Sequence, residues 1–170
     1  MGMRDLFDNV SLHLALLLEK NRHQVQYKYR SFLTGPPAEF VIFRGRQSVM
    51  PKYPVIEIIR GPVETSWGSI RVLTERYNFF LDCSIKHASR EVSQEFVTVF
   101  GRSVQVTLNS FMNLRFPIPG VMGVRAFDSL ATGMDPGFRR SSGENTARVT
   151  WQCSVANLVS APGSGGLIPA

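Results

Sequence analysis

Two distant stretches of this chain, "YNFFLDCSIK" at residues 77–86 and "ARVTWQCSVA" at 147–156, alternate apolar and polar residues. Tyr77, Phe79, Leu81, Cys83 and Ile85 fall on one side of an extended backbone, and Ala147, Val149, Trp151, Cys153 and Val155 fall on one side in the second stretch. Successive side chains of a strand point to opposite faces, so both stretches predict strands with one buried face. They place Cys83 and Cys153 on that face, as buried, reduced and unmetallated residues of one antiparallel sheet. Their similar surroundings, "LDCSI" and "WQCSV", make the two cysteines candidate strand neighbours, within reach of an accidental disulfide.

A buried sheet face needs a cover, and two segments have the period to supply it. Residues 3–21 carry Leu6, Phe7, Val10, Leu14, Leu17 and Leu18 at three- and four-residue steps, an amphipathic helix. Leu12 and Leu16 widen its apolar stripe, which points to cover on a second side by a neighbouring subunit. Residues 89–113 put Val92, Phe96, Val99, Phe100, Val104, Leu108, Phe111 and Met112 on one stripe, with Ser89 as N-cap and Glu91 in the first turn. Gly101 inside this helix costs about 1 kcal/mol relative to alanine and marks a bend or a close approach by another backbone. Both helices are expected to pack on the same sheet.

The remaining segments read as strands and loops. "YKYRSFLTGPPAEFVIFRG" predicts two short strands around Gly35, Pro36 and Pro37, and "YPVIEIIRG" a strand ended by Gly61 and Pro62. "SIRVLTERYNFFLDCSIK" is one long strand or a pair joined near Glu75 and Arg76. Residues 116–146 are rich in Gly and Pro and predict a long loop, with "GVRAF" as a short strand within it. Its Met122, Phe127, Met134 and Phe138, mixed with Arg125, Arg139 and Arg140, either form an interface or fold back onto the core. The fold class is therefore α+β: a single domain over residues 1–159, mainly antiparallel β-sheet packed against two helices, with a flexible C-terminal tail at 160–170.

Of the 170 residues 44% are hydrophobic and 19% charged, enough for one globular core without metal or disulfide staples. The apolar run "LALLL" is far short of the roughly 20 residues a membrane span requires. Arg4, Asp5 and Asp8 in the N-terminal segment, with no small-residue cleavage site after it, argue against a secretory signal. A formal charge of +6 favours contact with something anionic, but the basic residues are spread over "RHQVQYKYR", "RGR" and "RR".

Residues for catalysis or metal binding do not cluster along the chain. His13, His23 and His87 form none of the close pairs that zinc sites use, and the offset of Cys83 and His87 in "CSIKH" runs from a strand into a helix start. Phosphate-binding glycine loops and the G-x-S-x-G elbow of hydrolases do not occur. "PGSGG" is glycine-rich with no helix after it and reads as a linker. No catalytic, cofactor-binding or metal residues are expected, and the protein is not read as an enzyme.

The order of elements is the informative feature: a leading helix, "YPVIEI", the long strand "YNFFLDCSIK", a long helix, a loop with "TGMDPGF" and the closing strand "ARVTWQCSVA". Over residues 3–159 this resembles the tail terminator proteins of long-tailed bacteriophages. The resemblance implies a virion structural protein, assembled in the host cytoplasm, that forms a hexameric ring on the tail tube and ends its polymerisation. Its implied partners are its own copies, the tail tube protein and the neck or head-connector protein, with DNA passing nearby in the lumen. No cofactor or membrane is involved. On that reading residues 116–146 are mobile in the monomer and ordered in the ring. Arg125, Met134, Asp135, Phe138, Arg139 and Arg140 then touch a neighbour or the tube. A neck or head-completion protein of the same virion is the near alternative. The alternative of a different class is a nucleic-acid-binding module using the interleaved basic and aromatic residues of "RHQVQYKYR" and "RGR".

Overall fold

The two alternating stretches form the centre of the fold. The computed structural model describes residues 6–29, 39–49, 52–69, 72–87, 89–112, 115–141 and 143–158. Over these the chain runs α1 (Phe7–Lys20), α2 (Arg22–Tyr29), β1 (Val41–Arg44), β2 (Val55–Ser69), β3 (Val72–Lys86), α3 (Arg90–Asn109), β4 (Phe116–Pro117), β5 (Arg125–Ser141) and β6 (Glu144–Leu158). The six strands make one mixed, curled sheet in the order β1-β2-β3-β6-β5-β4, antiparallel except for the β1–β2 pair. With its three helices this is a single α+β domain.

The central pair is β3 with β6, in unbroken register from Val72 opposite Leu158 to Lys86 opposite Glu144. Tyr77, Phe79, Leu81 and Cys83 lie opposite Cys153, Trp151, Val149 and Ala147, and all eight are buried. Cys83 and Cys153 thus share a sheet face but sit six residues apart along it, roughly 20 Å at strand spacing. That distance far exceeds disulfide reach. Neighbouring positions are ruled out, and both thiols are free.

Both predicted helices cover this same face. Phe7 of α1 meets Tyr77 and Phe79 edge-on, with ring centroids 5.1 and 5.4 Å away. On the other half, α3 packs against β5, β6 and β3. Ser89 caps α3 by accepting from the Val92 amide. At Gly101 the close neighbour is a side chain and not the backbone expected: a Cβ there would stand 2.9 Å from the Cβ of Ala147.

Three expectations are corrected. Three helices are described where two were expected, because α2 takes in Tyr27, Lys28 and Tyr29, the start of the segment read as strand; Val25 is buried and α2 packs against α3. Gly61 and Pro62 do not end β2, which passes them through a register shift between Arg60 and Val63. Here glycine is required by space, since a Cβ would stand 2.8 Å from the Asn78 carbonyl oxygen. Of the two readings of the long segment the single strand holds: β3 runs unbroken from Val72 to Lys86 with Glu75 and Arg76 inside it. The third correction is the long loop: residues 125–141 are strand β5, hydrogen-bonded to β6. Gly35, Pro36, Pro37 and the tail 160–170 lie outside the described residues. No described helix is long and apolar enough to cross a membrane.

Candidate assembly surfaces

The residues singled out for an interface all fall on β5, and the sheet sorts them between its faces. Met134 pairs with Val149 and packs against the core on the helix side, so its apolar surface serves this domain. Asp135 lies opposite Arg148 on the other face, and Arg125 is exposed beside Pro117 of β4. Phe138 and Arg139 hold register with Thr146 and Asn145; with Arg140 they have side chains outside the described set. Of the other apolar candidates Phe127 is half-buried, whereas Met122, in the turn before β5, is 99% exposed.

The face away from the helices carries a row of charge. Glu57, Asp82, Arg148 and Asp135 occupy successive cross-strand positions on β2, β3, β6 and β5. Glu57 and Asp82 are fully buried, which requires partners. Asp82 accepts two bonds from Arg148, from Nε at 2.7 Å and from Nη2 at 2.9 Å, and meets Arg46 at 3.6 Å. Glu57 accepts from the Gln47 amide at 2.7 Å. Residues 46–47 are therefore anchored over this face by the two buried carboxylates. The Asp82 hydrogen bonds hold the Arg148 guanidinium charged against the opposing effect of burial, and it stacks 5.0 Å over the Phe80 ring. Charged rows of this kind stabilise only while complete, because removal of one partner leaves a buried charge behind.

Among the described residues the sheet's edges are barely covered. β1 is four residues long and shields β2 only from Val55 to Ile58; β4 is two residues long and shields β5 only at Arg125 and Ala126. Beyond them no described strand covers β2 from Ile59 to Ser69 or β5 from Phe127 to Ser141. Between α1 and β1 lies a cleft of about 800 Å³ lined by Ala15, Leu16, Ile42 and Ile58, with Asp8, Glu19, Arg44 and Arg60 among its polar walls. Leu16, expected to be covered by a neighbour, is 42% exposed there. At the far end of β2 the hairpin with β3 presents Trp67, 68% exposed.

Of the residues expected to meet nucleic acid, Arg22, Arg44 and Arg46 are engaged within the domain. Arg22 bonds Glu19 and the Phe40 carbonyl, and Arg46 meets Asp82. Arg44 reaches the Asp8 carbonyl. The interleaved basic and aromatic residues from Arg22 to Tyr29 form helix α2. Of the Cys83–His87 pair, Cys83 is buried in the core, whereas exposed His87 accepts from the Ser89 amide at the start of α3.

No protein-family model matches the chain, and no curated protein matches it in sequence. The signal missed in the sequence was Trp67. In "VETSWGS" a tryptophan flanked by small polar residues follows a Gly-Pro break, a setting with no core to receive it. Leu16 was legible as the residue that widens the α1 stripe too far.

Proposed function

We propose that this protein is a structural component of a phage virion, a ring-forming tail terminator that caps the tail tube and joins it to the neck. The observation that carries the reading is the pair of open edges on one sheet, on β2 and on β5, at opposite sides of the domain. A monomer whose described strands leave so much edge unpaired offers templates for pairing with another chain. Because the two edges differ, contact between them is head to tail, and a head-to-tail contact closes into a ring when its rotation allows. The order of elements supports the same reading by its resemblance to the tail terminators. Under it, Arg125, Asp135 and the β5 positions Phe138, Arg139 and Arg140 lie at the contact with a neighbouring subunit or the tube protein, while Met134 packs on the domain's own core.

The test is electron microscopy of purified virions or tails in which this protein carries a label. A single six-fold ring between tube and neck is the expected result. Label along the tube, on the capsid, or absent from particles overturns the reading, and a ring on the head side of the neck favours a head-completion role.

A further inference from the structure

We infer that the exposed Trp67 at the tip of the β2–β3 hairpin seats in the α1–β1 cleft of a second copy of this chain, with the open edge of β2 pairing against the open edge of β1. Two features that the domain itself leaves unpartnered fit one another. The cleft has an apolar floor of Ala15, Leu16, Ile42 and Ile58 inside charged walls. The hairpin tip has the complementary plan, an aromatic ring bordered by Glu64, Thr65, Ser66 and Arg76. An anchoring aromatic within a polar rim is the usual composition of an interface centre.

The hairpin belongs to another copy because it cannot reach its own cleft. Ile58 and Trp67 stand nine positions apart on the same strand, so tip and cleft are roughly 20–30 Å from each other. Trp67 is accordingly exposed in the monomer. The backbone supplies the second half of the contact. Val41 donates to the Pro54 carbonyl and Gly45 to the Ile58 carbonyl. By strand alternation Ile42 and Arg44 turn their amides and carbonyls away from β2, towards the incoming strand.

The sides of the sheet agree as well. Trp67 lies opposite Leu73, which shares its face with Tyr77 and Phe79, the side covered by α1. Ile42 lies opposite Ile56, which is opposite Cys83, again on the helix side. A sheet continuing from one copy into the next therefore carries Trp67 along the helix face and sets it beside Leu16. The opposite register, with Trp67 on the charged face, would lead it away from the cleft.

β1 and the open stretch of β2 lie on the same edge of the sheet, so this contact relates two copies by a two-fold; it is separate from the head-to-tail contact proposed above, with which it competes for the β2 edge, and it is tested on the isolated full-length chain. Thr65→Cys, on the same face as Trp67, and Glu19→Cys, on the cleft wall, keep the anchor and the cleft floor; they are made separately, mixed at high concentration and oxidised. The native cysteines are buried and do not compete. A disulfide-linked dimer that requires both variants is expected, at least about tenfold more abundant than from Thr65→Cys mixed with a Met122→Cys control. Trp67→Ala, which leaves the fold intact because the ring is exposed, is expected to weaken association by about 30-fold. Linkage no greater than the control at millimolar protein, or Thr65→Cys linking only to itself, overturns the contact. If labelled virions show the six-fold ring while linkage fails, the contact is wrong and the tail-terminator reading stands. If linkage succeeds and the label lies elsewhere, the reverse holds.

Discussion

At Cys83 burial, and after it the charge of Asp82, pushes thiol ionisation well up; at Cys153 burial alone pushes it to about 12. A thiolate is the reactive form, so both side chains are inert in the folded protein. Thiol titration at pH 8 is expected to find two thiols only after unfolding, and two fast-reacting native thiols would mean that the central strands open. The same shifts act on stability. Unfolded thiols ionise near about 8.5 and the folded ones well above it, so stability is held below that pH and lost as pH rises through it. His13 works from the other side. Burial first, and the charge of Lys20 second, lower its ionisation below the usual imidazole value, and its Nε2 has no partner among the described residues. Above pH 7 it is neutral in both states. Below about 6.5 the unfolded chain takes up a proton that the folded chain resists, so stability falls, levelling off beneath the folded value. Urea titrations of the parent and His13→Met between pH 8 and 5 should separate over that window, and parallel curves would place the acid sensitivity elsewhere.

Elements were legible where one period ran unbroken. The register of β3 with β6 has no shift, and its alternation could be read directly; α3 has the N-cap, the first-turn acid and the stripe expected of it. β5 was hidden for a physical reason. Its pairing with β6 shifts at four places, around Asp128 and Ser129, Thr132, Pro136 and Gly137, and Arg140, and each extra residue resets the alternation. Proline is tolerated there because β4 no longer covers that part of the strand. α2 was missed because its sequence lacks an apolar stripe and gains its place by packing on α3, a tertiary contact. Substitutions in α3 test the packing that was legible. Phe96 is 3% exposed, so Phe96→Asp should cost more than about 4 kcal/mol, having replaced a buried ring with an unpaired charge. Gly101→Ala gains about 1 kcal/mol of helix propensity but presses on Ala147, for a net loss of about 1–2 kcal/mol. Chemical denaturation reads both. A Gly101→Ala variant as stable as the parent would show that α3 can lift from β6.

At the scale of the whole molecule, the sequence could say that its two halves share a sheet but not in what order, because strand order is set by pairings distant along the chain. Of the candidate site, Leu16 was legible from periodicity. Trp67 and the cleft it is matched with depend on where β1 stops along β2, a tertiary fact. Charge follows the same logic. A formal +6 suggests an anionic partner, yet five of the ten arginines with described side chains hold a carboxylate: Arg22 with Glu19, Arg46 and Arg148 with Asp82, Arg60 with Asp8, and Arg76 with Glu64. An arginine already holding a carboxylate must give up that pair to meet a phosphate, so net charge overstates the attraction available to DNA. A dedicated nucleic-acid module would release many counterions on binding and lose affinity steeply with salt. This protein is expected to bind short duplex DNA no more tightly than the non-specific range of about 10⁻⁴–10⁻⁶ M, without sequence preference, and with a log–log salt slope shallower than about −3. Fluorescence anisotropy at several salt concentrations measures both quantities. Nanomolar affinity, or a slope several-fold steeper, would reveal a basic surface beyond these ion pairs and favour the nucleic-acid reading over a ring that merely surrounds DNA.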